Sequence, residues 1–214
     1  MSRKKALEQF HKDSISAAAD KLFAQRGIEK TTMDEIAREA QYSKATLYVY
    51  FKSKDEIFYY IAFKSMFRLH EKFKTILSGT EEVSDAYFAI CDVLAQFCED
   101  NPLHFSIMLE TIASDEESRK NTPILEDIYQ IGETLNNDVD VIIQRGIEQG
   151  VLQEQIELPS PAMGLIQWAA LSGIVSLANK KQDYIMQRTG MSRSQFLQAG
   201  FQMMYKSIFW EKQP

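Results

Sequence analysis

The sequence predicts an all-α protein, and two observations carry that prediction. Apolar residues recur at three- and four-residue spacing through most of the chain, whereas no run alternates apolar and polar residues convincingly as a β-strand does. Three segments of the form S/T-x-x-E/Q are typical of capping boxes, which mark helix starts: Thr32–Glu35, Ser53–Glu56 and Ser192–Gln195. We therefore expect about nine helices.

The first three helices occupy the N-terminal quarter of the chain. Residues 6–26 follow helical spacing and end at Gly27, a residue typical of the position just after a helix. A second helix begins after Thr32, and Ser43 can cap a third. Leu47 and Phe51 stand four apart in this third helix, so we assign both to the core.

The other face of the third helix carries lysine, threonine and tyrosine side chains: Lys44, Thr46, Tyr48 and Tyr50. A helix of two turns that is bounded this tightly and covered with such side chains is poorly explained as core. It is well explained as the recognition helix of a helix-turn-helix motif, which lies in the major groove of DNA.

This part of the chain resembles the DNA-binding region of the TetR family of bacterial transcriptional regulators. The resemblance runs from Ile15 to Ile57. It rests on many positions in register: Ala18, Ala19, Leu22, Phe23, Gly27, Thr31, Thr32, Ile36, Ala37, Ala40, Ser43, Leu47, Tyr48, Tyr50, Phe51, Ser53 and Lys54. It implies an N-terminal DNA-binding domain over residues 1–53 and a helical effector-binding and dimerisation domain over residues 54–214.

One departure from the family pattern falls in the turn between the two short helices. The family usually has glycine and then a small apolar residue there, and this chain has Gln41 and Tyr42. If the first of these positions needs a left-handed backbone, a residue with a Cβ atom costs roughly 1–2 kcal/mol there.

Helix position and the resemblance together assign the DNA contacts. Residues at the start of the recognition helix are expected to reach base edges: Lys44, Ala45, Thr46 and Tyr48. Hydroxyl, ammonium and helix N-terminal groups are expected to bind phosphate oxygens, and these belong to Thr32, Ser43, Tyr50 and Lys54. The alternative for Tyr48 and Tyr50 is a packing role.

The remaining helices are expected near residues 54–77, 82–99, 102–113, 123–149, 161–181 and 193–210. The helix over residues 54–77 has a continuous apolar stripe, formed by Phe58, Ala62, Met66, Leu69, Phe73 and Ile76. No segment rich in glycine, serine or proline separates the two halves of the chain, so this helix is expected to link them mechanically.

The charge distribution favours a nucleic-acid partner at the N-terminal end only. The chain has a net charge of −6, yet residues 1–56 contain 11 Lys and Arg against 9 Asp and Glu. Acidic residues predominate in the remainder, which would keep it away from phosphates.

The N-terminus lacks the apolar stretch of a signal peptide, and Cys91 and Cys98 stand too far apart on one helix for a disulfide. A cytoplasmic protein is expected.

Dimerisation is expected through the last two long helices, because members of the family pair there as a four-helix bundle. The candidate contact residues combine small and large side chains: Ala169, Ala170, Gly173, Ile174, Gly200, Phe201, Met204 and Ile208. Intramolecular packing is the alternative. A twofold dimer would read a palindromic operator whose half-sites lie roughly 34–36 Å apart, or a multiple of this.

An effector cavity is expected among the middle helices, which are rich in aromatic and deformable side chains. The candidate lining residues are Phe88, Cys91, Phe105, Met108, Leu109, Tyr129, Met163, Gln167 and Trp168, with His104 and Glu110 as further polar anchors. Core packing is the alternative for most of them.

The sequence therefore predicts a homodimeric, ligand-responsive DNA-binding regulator, most often a repressor in this family, that a small and largely apolar effector releases from its operator. A helical interaction or carrier module without DNA readout is the alternative. No catalytic motif, cofactor or metal site is predicted, and the acidic run Asp115–Glu117 is interpreted as a solvated loop or helix end.

Overall fold

The computed structural model describes residues 3–111, 116–153 and 157–210. The described residues form eleven helices, so the predicted all-α fold is confirmed: α1 (Arg3–Arg26), α2 (Met33–Glu39), α3 (Lys44–Tyr50), α4 (Lys54–Gly79), α5 (Val83–Asp100), α6 (Pro102–Thr111), α7 (Glu116–Asn121), α8 (Pro123–Glu148), α9 (Ser160–Lys180), α10 (Gln182–Thr189) and α11 (Arg193–Ile208). A short antiparallel pairing joins Leu152 and Phe209.

Two helices, α7 and α10, are absent from the sequence-based prediction. α7 is six residues long, is almost entirely polar and buries no side chain, so it carries no apolar stripe to detect. α10 follows α9 across the single residue Lys181, without a glycine or proline between them. Asp115 of the predicted acidic run lies outside the described residues, and Glu116 and Glu117 form the first turn of α7.

The chain packs as two compact units. The first comprises Met1–Met66 with Ile107–Tyr129, and the second comprises Phe67–Ser106 with Gln130–Pro214. This division follows packing and does not test the predicted boundary between residues 53 and 54, which stays a prediction.

In the first unit, α1, α2, α3 and the start of α4 share one apolar core. Ile15, Ile36, Leu47 and Ile57 each come from a different helix of this set, and each is completely buried. Four side chains from four helices therefore meet in one core, which fixes the short helices α2 and α3 against the two longer ones.

A polar cluster ties α1 to α4 beside this core. Asp13 accepts hydrogen bonds from Gln9 (3.0 Å) and Tyr60 (3.0 Å). It also forms an ion pair with Lys64 at 3.3 Å. Burial acts to raise the pKa of Asp13, but these hydrogen bonds outweigh it and lower the pKa. Asp13 therefore stays ionised and keeps its partners in place.

In the second unit, α9 and α11 pack against α5 and against each other. α11 approaches α9 closely because Gly200 has no side chain: a Cβ atom there would lie 2.9 Å from Cγ2 of Ile174. Gly146 makes room in the same way for the buried ring of Phe209. The ring of Phe209 stacks on Tyr205, with 5.1 Å between ring centroids.

α8 holds the C-terminal half of α4 within the second unit. Arg145 donates hydrogen bonds to the carbonyl oxygens of Leu77 (2.5 Å) and Thr80 (2.7 Å), groups that the end of α4 leaves without helical partners. Two turns earlier on both helices, Nδ1 of His70 on α4 lies 2.7 Å from Oδ2 of Asp138 on α8. Burial raises the pKa of Asp138, against the opposing effect of His70.

α9 is long and apolar enough to cross a membrane by length and composition alone, with a mean hydropathy of 1.4 over 18 residues. Its inner face contains two buried polar residues, Gln167 and Ser172. A helix with one face in a protein core passes the same criterion, so this composition is weak support for a membrane span.

Candidate functional site

The candidate site begins with α2, whose N-terminus the sequence correctly locates. The hydroxyl of Thr32 accepts a hydrogen bond from Glu35 N (3.3 Å), and the Glu35 carboxylate accepts one from Thr32 N (2.9 Å). The predicted capping box is therefore present. Hydrogen bonds from Thr32 lower the pKa of Glu35, and Arg26 lies 2.8 Å from the same carboxylate.

The turn after α2 is a Schellman motif, which ends the helix with one left-handed residue. Tyr42 N donates to Ala37 O (2.9 Å), and Gln41 N donates to Arg38 O (3.2 Å). Gln41 has a φ of 61°, so the left-handed backbone considered for this position is present and a residue with a Cβ atom adopts it.

Tyr42, the second unusual turn residue, anchors the turn to α1. Its hydroxyl lies 2.7 Å from Nδ1 of His11. The His11 ring also packs on Tyr50 of α3, with 5.2 Å between ring centroids. One imidazole of α1 therefore contacts both the turn and the end of α3.

α3 begins at its predicted cap and turns one face into the core. The hydroxyl of Ser43 accepts a hydrogen bond from Thr46 N (3.0 Å). Leu47 is fully buried and Phe51 is 2% exposed, as predicted. Because these two residues point inward, the opposite face of α3 points into solvent.

Most of the predicted base-contacting side chains lie on that exposed face. Lys44, Ala45 and Tyr48 are exposed, and Thr46 is half-buried. Lys44 pairs with Asp34 of α2 at 2.6 Å, and this pairing raises the pKa of Lys44. Both partners are exposed, so solvent screens the pair and leaves the ammonium available to a competing anion.

Two of the predicted phosphate contacts have partners within the chain. Lys54 donates to the carbonyl oxygens of Ile28 (3.0 Å) and Glu29 (3.3 Å), and Tyr50 packs on His11. Hydrogen bonds to a charged group typically contribute about 1.5–3 kcal/mol to stability. Lys54 therefore has a structural role, because it holds the start of α4 to the loop that follows α1. Thr32 and Ser43 combine capping roles with exposure to solvent.

Two exposed residues of this surface were not predicted. Val49 is 76% exposed on α3 and stands four residues after Ala45, on the same helix face. Lys52 is exposed just after the helix. Val49 was not predicted because an apolar residue is expected in the core. The signal that it points outward is its position two residues after the buried Leu47, which places it on another face of the helix.

The second unit contains a small enclosed cavity of about 20 Å³. It is lined by Tyr87, Ile90, Cys91, Val139, Ile142, Ile143, Gln167, Leu171 and Phe209. The surface of the cavity is apolar, because the amide of Gln167, which is 2% exposed, accepts from the hydroxyl of Tyr87 (3.4 Å) and donates to Met204 O (3.2 Å). Burial raises the pKa of the Cys91 thiol, which keeps it neutral.

Of the nine predicted effector contacts, the structure brings only Cys91 and Gln167 to this cavity. Phe88 lines a separate surface groove. Phe105 and Met163 are buried in the second unit, where Trp168 is half-buried, and Met108, Leu109 and Tyr129 belong to the first unit. The side chain of Glu110 lies outside what the structure describes. Tyr87 and Phe209 were missed, because nothing in their sequence spacing distinguishes cavity lining from core.

The predicted dimer contacts divide into two groups. Gly200, Phe201 and Ile208 are buried within the chain itself, as the alternative of intramolecular packing predicts. Ala169 and Gly173 are exposed on α9, and the remaining three, Ala170, Ile174 and Met204, are partly exposed.

Larger apolar side chains extend the exposed group. Ile166, Ala169, Gly173 and Leu177 follow one another at three- and four-residue spacing on α9, and Met203 is 67% exposed on α11. We call these five residues the α9–α11 stripe. The described residues contain no group of three or more metal-binding side chains that could hold an ion.

Residues 15–61, which contain α2, α3 and their caps, match a family described as bacterial regulatory proteins of the tetR family. Over these residues the chain is similar to the TetR family, as the sequence predicted. The matched segment contains the predicted helix-turn-helix, and the description of the family is one of regulatory proteins.

Known proteins similar to this chain include an HTH-type transcriptional regulator of Staphylococcus aureus (strain bovine RF122 / ET3-1). It is 31% identical over 99 residues, which cover 46% of this chain and 52% of that protein. The chain thus spans about half the length of the staphylococcal regulators it matches.

Two solved structures share the fold. The TetR family transcriptional regulator PfmR from Thermus thermophilus superposes with a TM-score of 0.60 at 25% identity, covering 90% of this chain and 97% of that chain. The fatty acid degradation regulator FadR from Bacillus halodurans gives a TM-score of 0.67 at 16% identity, covering 91% and 94%. At that identity the likeness to FadR concerns the fold alone.

The turn between α2 and α3 gives a first prediction. Gln41→Gly should raise the free energy of unfolding by about 1 kcal/mol, because glycine adopts a φ of 61° without the Cβ clash. Gln41→Ala retains the Cβ atom and is the matched control, with little change expected. Thermal and denaturant unfolding measure both; a Gly variant no more stable than the Ala variant would show that the turn is unstrained.

Proposed function

We propose that the protein is a sequence-specific DNA-binding regulator of transcription that reads its operator with α3. One observation carries the proposal: the fully buried Leu47 orients this seven-residue helix so that Lys44, Tyr48 and Val49 face solvent. A solvent-facing helix of this width fits the major groove of B-DNA, which is about 12 Å wide.

The chemistry of the exposed face suits base and phosphate contacts. Lys44 supplies a cation for a guanine edge or a phosphate, and Tyr48 supplies a hydroxyl on a flat apolar ring. The methyl groups of Ala45, Thr46 and Val49 suit thymine methyl groups. Thr32 and Ser43 stand at the N-termini of α2 and α3, where backbone N–H groups favour phosphate oxygens.

Substitutions on α3 separate specific from general DNA affinity. Tyr48→Ala should weaken binding to a selected operator by about tenfold, which corresponds to about 1.4 kcal/mol, and should weaken binding to random duplex much less. Lys44→Ala should weaken both and reduce the slope of log affinity against log salt by about 1. An operator selected from random duplex DNA and a titration over a salt series provide these values.

Lys120→Ala is the matched control for Lys44→Ala. Lys120 also forms an exposed ion pair in the first unit, with Glu116 at 2.7 Å, but it lies on α7 rather than on α3. Its removal should leave DNA affinity unchanged. If Lys44→Ala and Lys120→Ala behaved alike, α3 would not be the DNA-binding element.

We further propose that the protein is a homodimer that pairs through the α9–α11 stripe. Ile166 is 53% exposed and Met203 is 67% exposed, and both stand beside small residues that let helices approach closely. This interface also accounts for the apolar composition of α9 without a membrane. A twofold pair of α3 helices would read a palindromic operator in the cytoplasm, where bacterial DNA lies.

The stripe yields a test of oligomeric state. Ile166→Glu should convert a dimer into a monomer, because a buried carboxylate facing its twin across a twofold axis is costly to desolvate. Ile147→Glu is the control, since Ile147 is 46% exposed on α8 and lies outside the stripe. Sedimentation velocity resolves the two states, and a dimer that survives Ile166→Glu would place the interface elsewhere.

A small, largely apolar effector is proposed to bind at the enclosed cavity and release the operator, which makes the protein a repressor. The cavity of about 20 Å³ holds about one water molecule, whereas small-molecule pockets have volumes of roughly 300–1,000 Å³. An effector would therefore enter only as Tyr87, Gln167 and Phe209 move apart. A rearrangement of that kind gives the ligand different affinities for two states, as release of DNA requires.

Reciprocity tests this switch. A compound that weakens operator affinity tenfold must bind the DNA-free protein tenfold more tightly than the DNA-bound protein, a coupling of about 1.4 kcal/mol. Gln167→Leu should weaken such a compound by about tenfold, because the opened cavity would lose its buried amide, whereas Gln187→Leu, on the exposed surface of α10, should not. Equal operator affinity with and without every apolar compound screened would reject the switch.

A further inference from the structure

A surface groove of about 570 Å³ lies between α5 and α11. α5 contributes Phe88, Asp92, Ala95 and Gln96 to its walls, and α11 contributes residues between Arg193 and Gln202. None of these residues lines the enclosed cavity, so the groove is a separate site. Its volume falls in the range of about 300–1,000 Å³ that small-molecule sites occupy.

The floor of the groove is apolar and held in place. It is formed by Phe88, Leu197 and Phe201, of which the last two are buried. The ring of Phe88 packs on Tyr205, with 5.2 Å between ring centroids, and on Tyr87 at 5.3 Å. This packing limits rotation of the Phe88 ring and leaves aromatic surface available to the groove.

The two charged residues that line the groove, Arg193 and Asp92, differ in whether the chain supplies them with partners. Arg193 stands at one end, but its guanidinium already donates to Asn179 (2.8 Å) and Ala95 O (3.2 Å) and pairs with Glu99 (3.0 Å). Asp92 is exposed in the wall and forms no ion pair or hydrogen bond within the part of the chain that the structure describes. The uncompensated charge of the groove is therefore the Asp92 carboxylate.

We propose that this groove binds a small organic cation with a flat apolar body. The apolar body would cover Phe88, the cationic group would pair with Asp92, and the amides of Gln198 and Gln202 on the opposite wall would bond to polar substituents. The site goes beyond the effector cavity of the proposed function, because it shares no residue with that cavity.

Other ligand classes fit the groove less well. An anion would meet the Asp92 carboxylate, and Arg193 has its nitrogens engaged with Asn179, Ala95 and Glu99. A neutral apolar compound would contact the aromatic floor but would gain nothing from the carboxylate. A cation is the class that gains from both the aromatic floor and the carboxylate.

The test compares three probes of similar size on the full-length chain without DNA: benzyltrimethylammonium, benzyl alcohol and benzenesulfonate. Backbone amide chemical shifts followed during each titration give the affinity and the location together. The cation should bind about tenfold more tightly than benzyl alcohol, with the largest shifts in α5 and α11, and benzenesulfonate should bind more weakly than both.

Asp92→Asn keeps the shape of the side chain and removes its charge, so it should bring the affinity for the cation to within about twofold of that for benzyl alcohol. Asp85→Asn is the control, because Asp85 is exposed two turns earlier on α5 and does not line the groove. Both variants change exposed residues, and thermal unfolding checks that they fold.

Three results would overturn the proposal. They are unchanged cation affinity in Asp92→Asn, an equal loss in Asp85→Asn, and shifts centred on Cys91 and Gln167 of the enclosed cavity. Since no DNA is present, none of these results depends on whether the protein binds an operator.

Discussion

The burial of Leu47 is the constraint on which the rest of the candidate DNA-binding surface depends. α3 has only seven residues, and an isolated helix of that length does not persist in water. It forms because Ser43 caps its start and because Leu47 and Phe51 remove one face from solvent. The burial of Leu47 also decides which residues of α3 face outward. The same side chain therefore stabilises the helix and orients its exposed face.

The sequence predicted the local features well because their causes are local. A capping box needs residues three apart, and both Thr32–Glu35 and Ser192–Gln195 form the bonds their residue types imply. Ser53 caps α4 as expected, but the carboxylate of Glu56 accepts from Lys52 N rather than from Ser53 N. That difference depends on how the chain enters the helix, which spacing does not specify.

What the sequence could not predict concerns partners distant in the chain. Apolar spacing on α9 and α11 shows that a face will be buried, but not whether the chain itself or a second copy buries it. The sequence predicted Phe201 and Gly173 equally as dimer contacts. The packing of α11 on α5 and α9 buries Phe201 within the chain and leaves Gly173 exposed. Cavity lining is harder still, because Cys91 and Phe209 meet only after four helices pack.

α11 takes part in three environments at once. Leu197 and Phe201 form its inner side, Met203 belongs to its outer apolar side, and Gln198 and Gln202 line the groove beside α5. A helix that serves several contacts can move only by disturbing all of them, since well-packed interfaces are bistable rather than continuously deformable. A displacement of α11 on one side would therefore alter its contacts on the other two.

The contact between His11 and Tyr42 has a consequence for how the two short helices are held. The hydroxyl of Tyr42 lies 2.7 Å from Nδ1 of His11, and the same ring packs on Tyr50 at the end of α3. One side chain of α1 therefore contacts both ends of the segment that carries the exposed face. Removal of the His11 ring would loosen the turn and the end of α3 together, which couples the mobility of these two places.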